Sequence, residues 1–243
     1  MNASTATRRA ADLEIVIPAY NEAERLPRTL EATAAFLARQ PWDVRIVVVD
    51  NGSVDDTAEV ARRVAARWAD VVEIDVIGCS TKGKGAAVAR GLSTSTSRFV
   101  GFMDADLSTP VETLTAAMYH LQTGAGAVIA SRHAPGAAFA EPQPLGRRVG
   151  GAAFRALSRS LVPGVRDSQC GFKFFSRELV ARALEECRVT NFAFDVELLR
   201  RVRQAGGDIV EVPVTWTDDA RSTFHPVRDG IPSFLAVLQL HAA

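Results

Sequence analysis

The stretch GFMDADLSTP, residues 101–110, ends an apolar run with two aspartates separated by a single alanine. The run Phe99–Met103 predicts a strand buried by its neighbours, so Asp104 and Asp106 lie where the chain re-emerges at the edge of a sheet. Two residues apart in a near-extended segment, their side chains point to the same side and can share one ion. Hard oxygen ligands of this kind suit Mg²⁺ or Mn²⁺, with substrate phosphates completing the coordination. The alternative is that both aspartates are turn and N-cap residues of a helix after Pro110.

The same pattern of a short apolar run followed by a helical segment occurs on both sides of this stretch. Four more β-branched runs predict strands: LEIVIP, VRIVVVD, VVEIDVI and AVIAS. Runs that are apolar on both faces and alternate with helices indicate a parallel sheet covered on both sides. We therefore predict an α/β fold, a single Rossmann-like nucleotide-binding domain with a mostly parallel central sheet and helices on both faces.

The pattern becomes less regular after Ser131. A Gly/Pro/Ala-rich loop precedes a predicted helix over about 147–161, a strand at FKFFS, a helix over 194–204 and a strand at DIVEVPVTW. The C-terminal segment GIPSFLAVLQL is predicted to be a helix. Its apolar residues form one stripe: Ile231, Phe234, Leu235 and Leu238. We favour packing of this stripe in the core over contact with a membrane.

Composition limits the classes of function. With 243 residues, 47% of them hydrophobic, the chain is long enough for one large domain with a full core. Its 28 basic and 28 acidic residues balance, which argues against a nucleic-acid partner. The three cysteines stand in no metal-binding or paired spacing, which indicates reduced thiols in a cytoplasmic protein without zinc.

Both ends of the chain bear on localisation. Residues 1–12 are predicted to be a flexible tail, because no apolar segment follows their arginines as in a signal peptide. No apolar run approaches the ~18 residues that span a bilayer. We expect a cytoplasmic protein, with peripheral contact at the inner face of the membrane as the alternative.

Acidic residues follow three of the first four strands, at the edge where ligands bind open parallel sheets. The loop after the third strand, GCSTKGK, has the spacing of a P-loop. Gly85 stands where a P-loop carries the hydroxyl that binds magnesium, so we do not interpret it as one. Lys84 is still expected to help hold a diphosphate as a point charge.

Seven motifs in order make the sequence similar to a known family: VIPAYNEAERL, VVVDNGSVDDT, KGKGAAVARGL, DADLST, ASRH, DSQCGFKFF and FAFDVELL. Together they resemble family 2 glycosyltransferases of the GT-A fold, especially dolichyl-phosphate (polyprenyl-phosphate) glucosyl- and mannosyltransferases. The resemblance implies a non-processive, inverting enzyme that depends on Mg²⁺ or Mn²⁺. It would move a hexose, with glucose favoured, from a nucleotide diphosphate sugar, with UDP favoured, to a polyprenyl phosphate. Residues 13–131 would form the half that binds the nucleotide sugar, and 132–243 the half that binds the acceptor.

The resemblance also assigns roles to residues. Those expected to bind the donor nucleotide are Pro18, Ala19, Tyr20, Glu22, Asp50, Gly52, Lys84 and Asp104. Metal binding falls to Asp104 and Asp106, and catalytic roles to Asp106, Arg132 and Asp195. Those expected to contact the sugar or the acceptor are Arg148 (or Arg147), Asp167, Gln169, Gly171, Phe172, Trp216 and Arg221.

Plain structural roles remain open for several of these residues. Tyr20 can be a core aromatic, Asp50 a loop cap and Glu22 a helix cap. For Arg132 the alternative is a structural ion pair, and for Arg147 and Arg148 a solvated helix face. Cys170 is interpreted as a small buried residue because nothing nearby in sequence would activate it as a nucleophile.

The identity of the acceptor depends on Asp195 and on two departures from the family pattern. After the last tryptophan this chain has WTDDARSTF, without the family's lysine, although Arg221 can replace it. It also lacks a spanning segment. These departures favour the alternative acceptor, a soluble hydroxyl compound, for which Asp195 would be the base. Otherwise Asp195 caps its helix.

Three remoter functions are less compatible with the motifs. A sugar-nucleotide pyrophosphorylase would open with a Gly-rich loop containing arginine, where this chain has PAYNE. A non-catalytic nucleotide-sugar binding protein would lack the DxD or FDVELL motif, and both are present. A processive synthase would need a QxxRW-like motif and membrane helices.

Overall fold

A computed structural model describes residues 11–140, 145–217 and 226–242 of the chain. Its first half alternates strands with helices, as predicted. These elements are β1 (Leu13–Ala19), α1 (Leu26–Leu37), β2 (Val44–Asp50), α2 (Thr57–Trp68), β3 (Glu73–Gly78), α3 (Lys84–Thr94), β4 (Phe99–Met103), α4 (Thr113–Gln122) and β5 (Ala127–Ser131). The chain is tied to the sheet from its first described residues, because Ala11 accepts a hydrogen bond from the backbone N–H of Arg98.

The second half adds short strands and the remaining helices. They are β6 (Ala138–Phe139), α5 (Leu145–Ser158), β7 (Phe172–Ser176), α6 (Arg177–Glu185), α7 (Phe194–Gln204), β8 (Ile209–Pro213), β9 (Thr215–Trp216), a π-helical turn (Pro226–Gly230) and α8 (Ile231–Ala242). Helix α6 and strand β6 were not predicted from the sequence, and the predicted last strand is divided into β8 and β9.

The central sheet has seven strands in the order β3-β2-β1-β4-β7-β5-β8. All neighbours are parallel except β7, which runs antiparallel to both β4 and β5. Because β7 is reversed, its beginning lies at the edge where the other strands end. The segment before β7 therefore meets the end of β4, and Asp104 donates its backbone N–H to the carbonyl oxygen of Gly171 at 2.8 Å.

Each face of the sheet carries its own core. Along β1, Leu13, Ile15 and Ile17 pack on one face with α1, α2 and α4. Val16 points to the opposite face, where α3, α5, α6, α7 and α8 pack. This alternation is the period-two pattern of a strand that is covered on both sides.

The expectation that the apolar stripe of α8 packs in the core is wrong for three of its four residues. Phe234 packs edge-on against Phe154 at a centroid distance of 5.1 Å, but Ile231, Leu235 and Leu238 are each more than half exposed. The buried side of α8 carries smaller residues instead, including Ala236 and Val237. The sequence of this helix is apolar almost all the way round, so its periodicity does not identify the buried side. Within the described part of the chain, no helix is long and apolar enough to cross a membrane.

Candidate active site

A cleft of about 680 Å³ opens at the carboxyl ends of β1 to β4. This is where ligands bind open α/β sheets, and the volume is in the usual range for small-ligand sites. Most of the residues predicted to bind the donor or the metal line it: Pro18, Ala19, Tyr20, Glu22, Gly52, Lys84, Asp104 and Asp106. Asp50 is not among the lining residues. Its carboxylate accepts the backbone N–H of Ser53 at 3.2 Å, which is the loop-cap role.

Each of the two aspartates after β4 lies close to a cationic side chain. Asp104 Oδ1 is 2.7 Å from the Nζ of Lys84, and Asp106 Oδ2 is 3.9 Å from Nη1 of Arg25. Neither aspartate caps α4, which begins only at Thr113. The structure thus places both carboxylates in the cleft and leaves the N-cap part of the alternative without support. The turn part holds for Asp106, whose Oδ1 accepts the backbone N–H of Ser108 at 3.0 Å.

The donor atoms fit Mg²⁺ or Mn²⁺ only together with a ligand. Among the residues that the structure describes, no group of three or more His, Cys, Asp or Glu side chains could hold a metal ion. Two carboxylates with open positions match the way magnesium is held, by one or two carboxylates plus substrate phosphates. Asp104 and Asp106 are therefore the residues that would hold such an ion.

Lys84 is a fixed positive charge in the cleft. Burial alone would lower its pKa, but Asp104, Asp195 and Asp106 raise that pKa above its usual value. The Nζ atom also lies 5.9 Å from the ring centroid of Phe102 and 5.8 Å from that of Phe192. Lys84 is therefore held in place by both charge and packing.

The two glycines that flank Lys84 have a packing role. A Cβ atom built on Gly83, which has φ of +121°, would lie 2.9 Å from the backbone carbon of Thr190. One built on Gly85 would lie 2.8 Å from Cγ of Phe194. The backbone N–H of Gly83 is already donated to Asn51 Oδ1 at 2.8 Å, and that of Ala86 to Thr190 O at 3.1 Å. The glycines thus let α3 approach the segment before α7, and Lys84 contributes its charge rather than a phosphate-binding turn.

The loop after β1 places a second ion pair beside the aspartates. Arg25 donates from Nε to Glu22 Oε2 at 2.7 Å, and both side chains are about nine-tenths buried. Burial raises the pKa of Glu22, and the nearby Asp106 and Asp104 add to this rise while Arg25 opposes it. Glu22 is thus a cleft residue neutralised by Arg25, and its side chain does not cap α1. Tyr20 is 47% exposed at the cleft rim and is not a core aromatic.

The motif DSQCGFKFF contributes an ion pair with Arg132. Asp167 is fully buried and accepts two hydrogen bonds from the Arg132 guanidinium, at 2.7 Å and 2.9 Å. Burial raises the pKa of Asp167, but Arg132 outweighs this and holds the pKa well below its usual range. The guanidinium also lies 5.3 Å from the ring centroid of Trp216. The plain alternative for Arg132, a structural ion pair, is what the geometry shows.

The structure places three further residues of this motif. Phe172 was expected to contact sugar or acceptor but is fully buried in the core against Phe174, so this prediction is wrong. Gln169 is partly buried and bonds locally. Cys170 is buried, and burial raises its pKa to about 11, which agrees with a packing role.

The structure pairs Asp195, the predicted base, with a buried lysine. Asp195 is 3% exposed, it does not line the cleft, and its Oδ1 atom lies 2.5 Å from the Nζ of Lys173. Lys173 is fully buried and also donates to the carbonyl oxygen of Cys170 at 2.6 Å. The side chain of Asp195 makes no capping hydrogen bond at the start of α7 either. Its observed role is to neutralise a buried lysine.

The structure also identifies cleft residues that the sequence analysis missed: Arg25, Asn51, Phe192, Arg228 and Asp229. Arg25 could have been found from the sequence, because it stands three residues after Glu22 at the start of a helix, a spacing that favours an ion pair. Asn51 connects two loops, because its side chain accepts from Gly83 N and donates to Thr81 O at 2.7 Å. Phe192, Arg228 and Asp229 come from segments that are far from these loops in the sequence. Of the remaining predictions, the side chain of Arg148 and all of Arg221 lie outside the described residues.

Comparisons with known proteins agree with this geometry. The family described as Glycosyl transferase family 2 matches residues 14–184. The dolichyl-phosphate beta-glucosyltransferase ALG5C of Trichomonas vaginalis is 33% identical over 216 residues, covering 84% of this chain and 63% of that protein. The human dolichyl-phosphate beta-glucosyltransferase is 30% identical over 232 residues, covering 88% of this chain and 70% of that protein. The chain thus spans about two thirds of the length of these relatives.

A solved structure with a similar fold is glucosyl-3-phosphoglycerate synthase from Mycobacterium tuberculosis in complex with Mn²⁺, UDP-glucose and phosphoglyceric acid. Its TM-score is 0.70 at 18% identity, covering 96% of this chain and 80% of that one. At this identity the likeness concerns the fold alone. The predicted fold class, a single α/β domain of the GT-A kind with a mostly parallel sheet, is confirmed.

Proposed function

The chain belongs to glycosyl transferase family 2, and we propose that it is an inverting, metal-dependent hexosyltransferase that moves glucose from UDP-glucose to a polyprenyl phosphate. The relatives named as dolichyl-phosphate beta-glucosyltransferases support the glucose and the lipid phosphate. The cleft supports a nucleotide diphosphate donor, because it offers two adjacent carboxylates, a lysine and an exposed tyrosine at the carboxyl edge of the sheet.

The residues of the cleft suit the charge changes of the reaction. The bond between the anomeric carbon and the diphosphate oxygen breaks, while an acceptor oxygen forms a new bond to that carbon from the opposite face. Positive charge develops on the sugar and negative charge on the leaving diphosphate. A divalent ion bound to the diphosphate would stabilise that negative charge. Asp104 and Asp106 are placed to hold the ion, and Lys84 adds a positive charge beside them.

The pairing of Asp195 with Lys173 is the observation that favours a phosphate acceptor. An alcohol must lose a proton as it attacks, which requires a placed base. A phosphate is already anionic at neutral pH and needs none. Asp195 is buried, paired with Lys173, and not among the residues that line the cleft. The soluble hydroxyl acceptor therefore has the weaker support.

The exposed face of α8 supports a lipid-linked acceptor independently. Ile231, Leu235 and Leu238 form a continuous apolar face one helical turn apart. This face follows directly on Arg228 and Asp229, which line the cleft. An apolar helix face flanked by a cation is suited to rest on a membrane surface, where a polyprenyl chain resides. The protein would then work as a peripheral enzyme.

Transfer assays with the purified protein test this proposal. UDP-glucose labelled in the sugar is incubated with Mg²⁺ or Mn²⁺ and either a polyprenyl phosphate in detergent or a panel of soluble alcohols that includes phosphoglyceric acid. We expect metal-dependent transfer to the polyprenyl phosphate and loss of that transfer in EDTA. Transfer only to a soluble alcohol would overturn the acceptor, faster transfer from GDP-mannose would overturn the donor, and full activity in EDTA would overturn the metal.

A further inference from the structure

Gly171 lies against the side chain of Asp104 at the floor of the cleft. The antiparallel register of β4 and β7 pairs Met103 with Phe172, and one step further the N–H of Asp104 is donated to Gly171 O at 2.8 Å. A Cβ atom built on Gly171 would lie 2.5 Å from Oδ1 of Asp104 and closer still to its Cγ and Oδ2. The carboxylate therefore occupies the space that any side chain at position 171 would need.

The glycine is not required by the backbone conformation. The left-handed region that favours glycine is occupied by other glycines among the described residues, such as Gly52 and Gly83, and Gly171 is not one of them. An alanine at position 171 would therefore not be strained by a left-handed φ. The atoms nearest to its Cβ would be those of the Asp104 carboxyl group.

The segment that carries Gly171 cannot easily retreat. Lys173, fully buried, donates to the carbonyl oxygen of Cys170 at 2.6 Å and is held in turn by Asp195 at 2.5 Å. Cys170 is itself buried, with its sulfur 3.5 Å from the hydroxyl of Thr109. Because both sides of Gly171 are fixed, the carboxylate of Asp104 is the movable partner. It is 37% exposed and can rotate toward solvent.

We propose that Gly171 is a positioning residue for the metal and diphosphate site. Because Gly171 has no side chain, the Asp104 carboxylate can lie where it contacts Lys84 and faces the ion. This inference rests on the proposed function and assigns Gly171 a role different from sugar or acceptor contact. An alanine there would turn the carboxylate out of its seat and break its 2.7 Å contact with Lys84.

The test measures UDP binding by isothermal titration calorimetry, with and without Mn²⁺, together with the melting temperature. Changes in groups that orient metal ligands typically lower metal affinity about 10-fold to 100-fold. Gly171→Ala is therefore expected to weaken Mn²⁺-dependent UDP binding by at least ~10-fold. Gly126→Ala is the matched control, because its Cβ would also be crowded, 2.8 Å from Leu179 Cδ2, at the opposite edge of the sheet. It is expected to lower the melting temperature and leave the UDP affinity unchanged.

A double variant separates positioning from general damage. The three atoms nearest to a Cβ at position 171 all belong to the Asp104 carboxyl group. In an Asp104→Ala background, adding Gly171→Ala should therefore change UDP affinity by less than about 2-fold. It should also recover folding if Gly171→Ala alone folds poorly.

Two results overturn the inference by itself: wild-type Mn²⁺-dependent UDP affinity in Gly171→Ala, or an equal further loss when it is added to Asp104→Ala. If Asp104→Ala alone leaves Mn²⁺-dependent UDP binding unchanged, the proposed donor site fails and this inference fails with it.

Discussion

Replacing Asp195 by Asn tests whether this carboxylate acts in chemistry or in stability. The substitution keeps the shape of the side chain and removes its charge. Lys173 would then be a fully buried cation whose ionic partner at 2.5 Å is gone. Removing one partner of a buried ion pair costs about 3–5 kcal/mol. For a domain of this size the melting temperature should fall by about 6–20 °C.

The proposed function predicts little change in turnover for the same variant. At a temperature where the Asn variant is folded, kcat with a polyprenyl phosphate should fall by less than ~10-fold, because a phosphate needs no base. Calorimetric melting and steady-state transfer assays measure the two effects separately. Removing both charges, in Asp195→Asn with Lys173→Met, should restore part of the lost stability, because no buried cation is then left without its ionic partner.

The opposite pattern would refute this reasoning. A base contributes about 10² to 10⁴-fold to proton removal. A loss of that size in kcat, with the melting temperature unchanged, would show that Asp195 acts on the acceptor. If that loss appeared with alcohol acceptors, the hydroxyl alternative would replace the phosphate.

Three further predictions follow from the site and the surface. Asp106→Ala should abolish transfer without lowering the melting temperature, because this carboxylate faces the cleft; retained activity would contradict its assignment to the metal. Asp167→Asn should lower the free energy of unfolding by about 3–5 kcal/mol at neutral pH. Arg132 depresses the pKa of Asp167. The stabilisation by this carboxylate is therefore fully present above the unfolded pKa of about 4 and is lost as pH falls through the folded pKa. Urea titrations of the wild type and the Asn variant should give the same free energy of unfolding only in acid. Leu235→Glu should reduce sedimentation with liposomes and activity on a long-chain acceptor but not on a short one, whereas Val71→Glu, equally exposed at 53%, should change neither.

Local sequence patterns predicted several strands correctly. Strands β2, β5 and β7 begin and end at the predicted residues, because each is a short β-branched or aromatic run bounded by polar residues. The placement of Asp104 and Asp106 in a cleft followed from one rule, that parallel strands present their carboxyl ends at one edge.

The reversed direction of β7 could not be predicted from the sequence, and it determines most of what the sequence analysis missed. Insertion of β7 between β4 and β5 is a long-range pairing that no local pattern specifies. It brings Gly171 against Asp104 and Lys173 against Asp195, 22 residues away. It also buries Phe172, which motif resemblance alone had assigned to the substrate.

Two charged side chains of the cleft, Lys84 and Asp104, are already paired with each other before any donor binds. Asp104 is held by Lys84 at 2.7 Å, so a divalent ion must compete with the lysine for that carboxylate. A diphosphate must likewise compete with Asp104 for the lysine. When both arrive together, the ion takes the carboxylate, the diphosphate takes the lysine, and no charge is left without a partner in a cleft where an unpaired charge is costly. We therefore expect Mn²⁺ and UDP each to bind more tightly in the presence of the other, by the same factor for both, because coupling is reciprocal. Calorimetric titration in each order measures that factor. In Lys84→Met, which frees Asp104 and leaves the diphosphate without the lysine, the factor should fall to the part that comes from direct contact between the ion and the diphosphate. An undiminished factor there would show that the coupling does not pass through this ion pair.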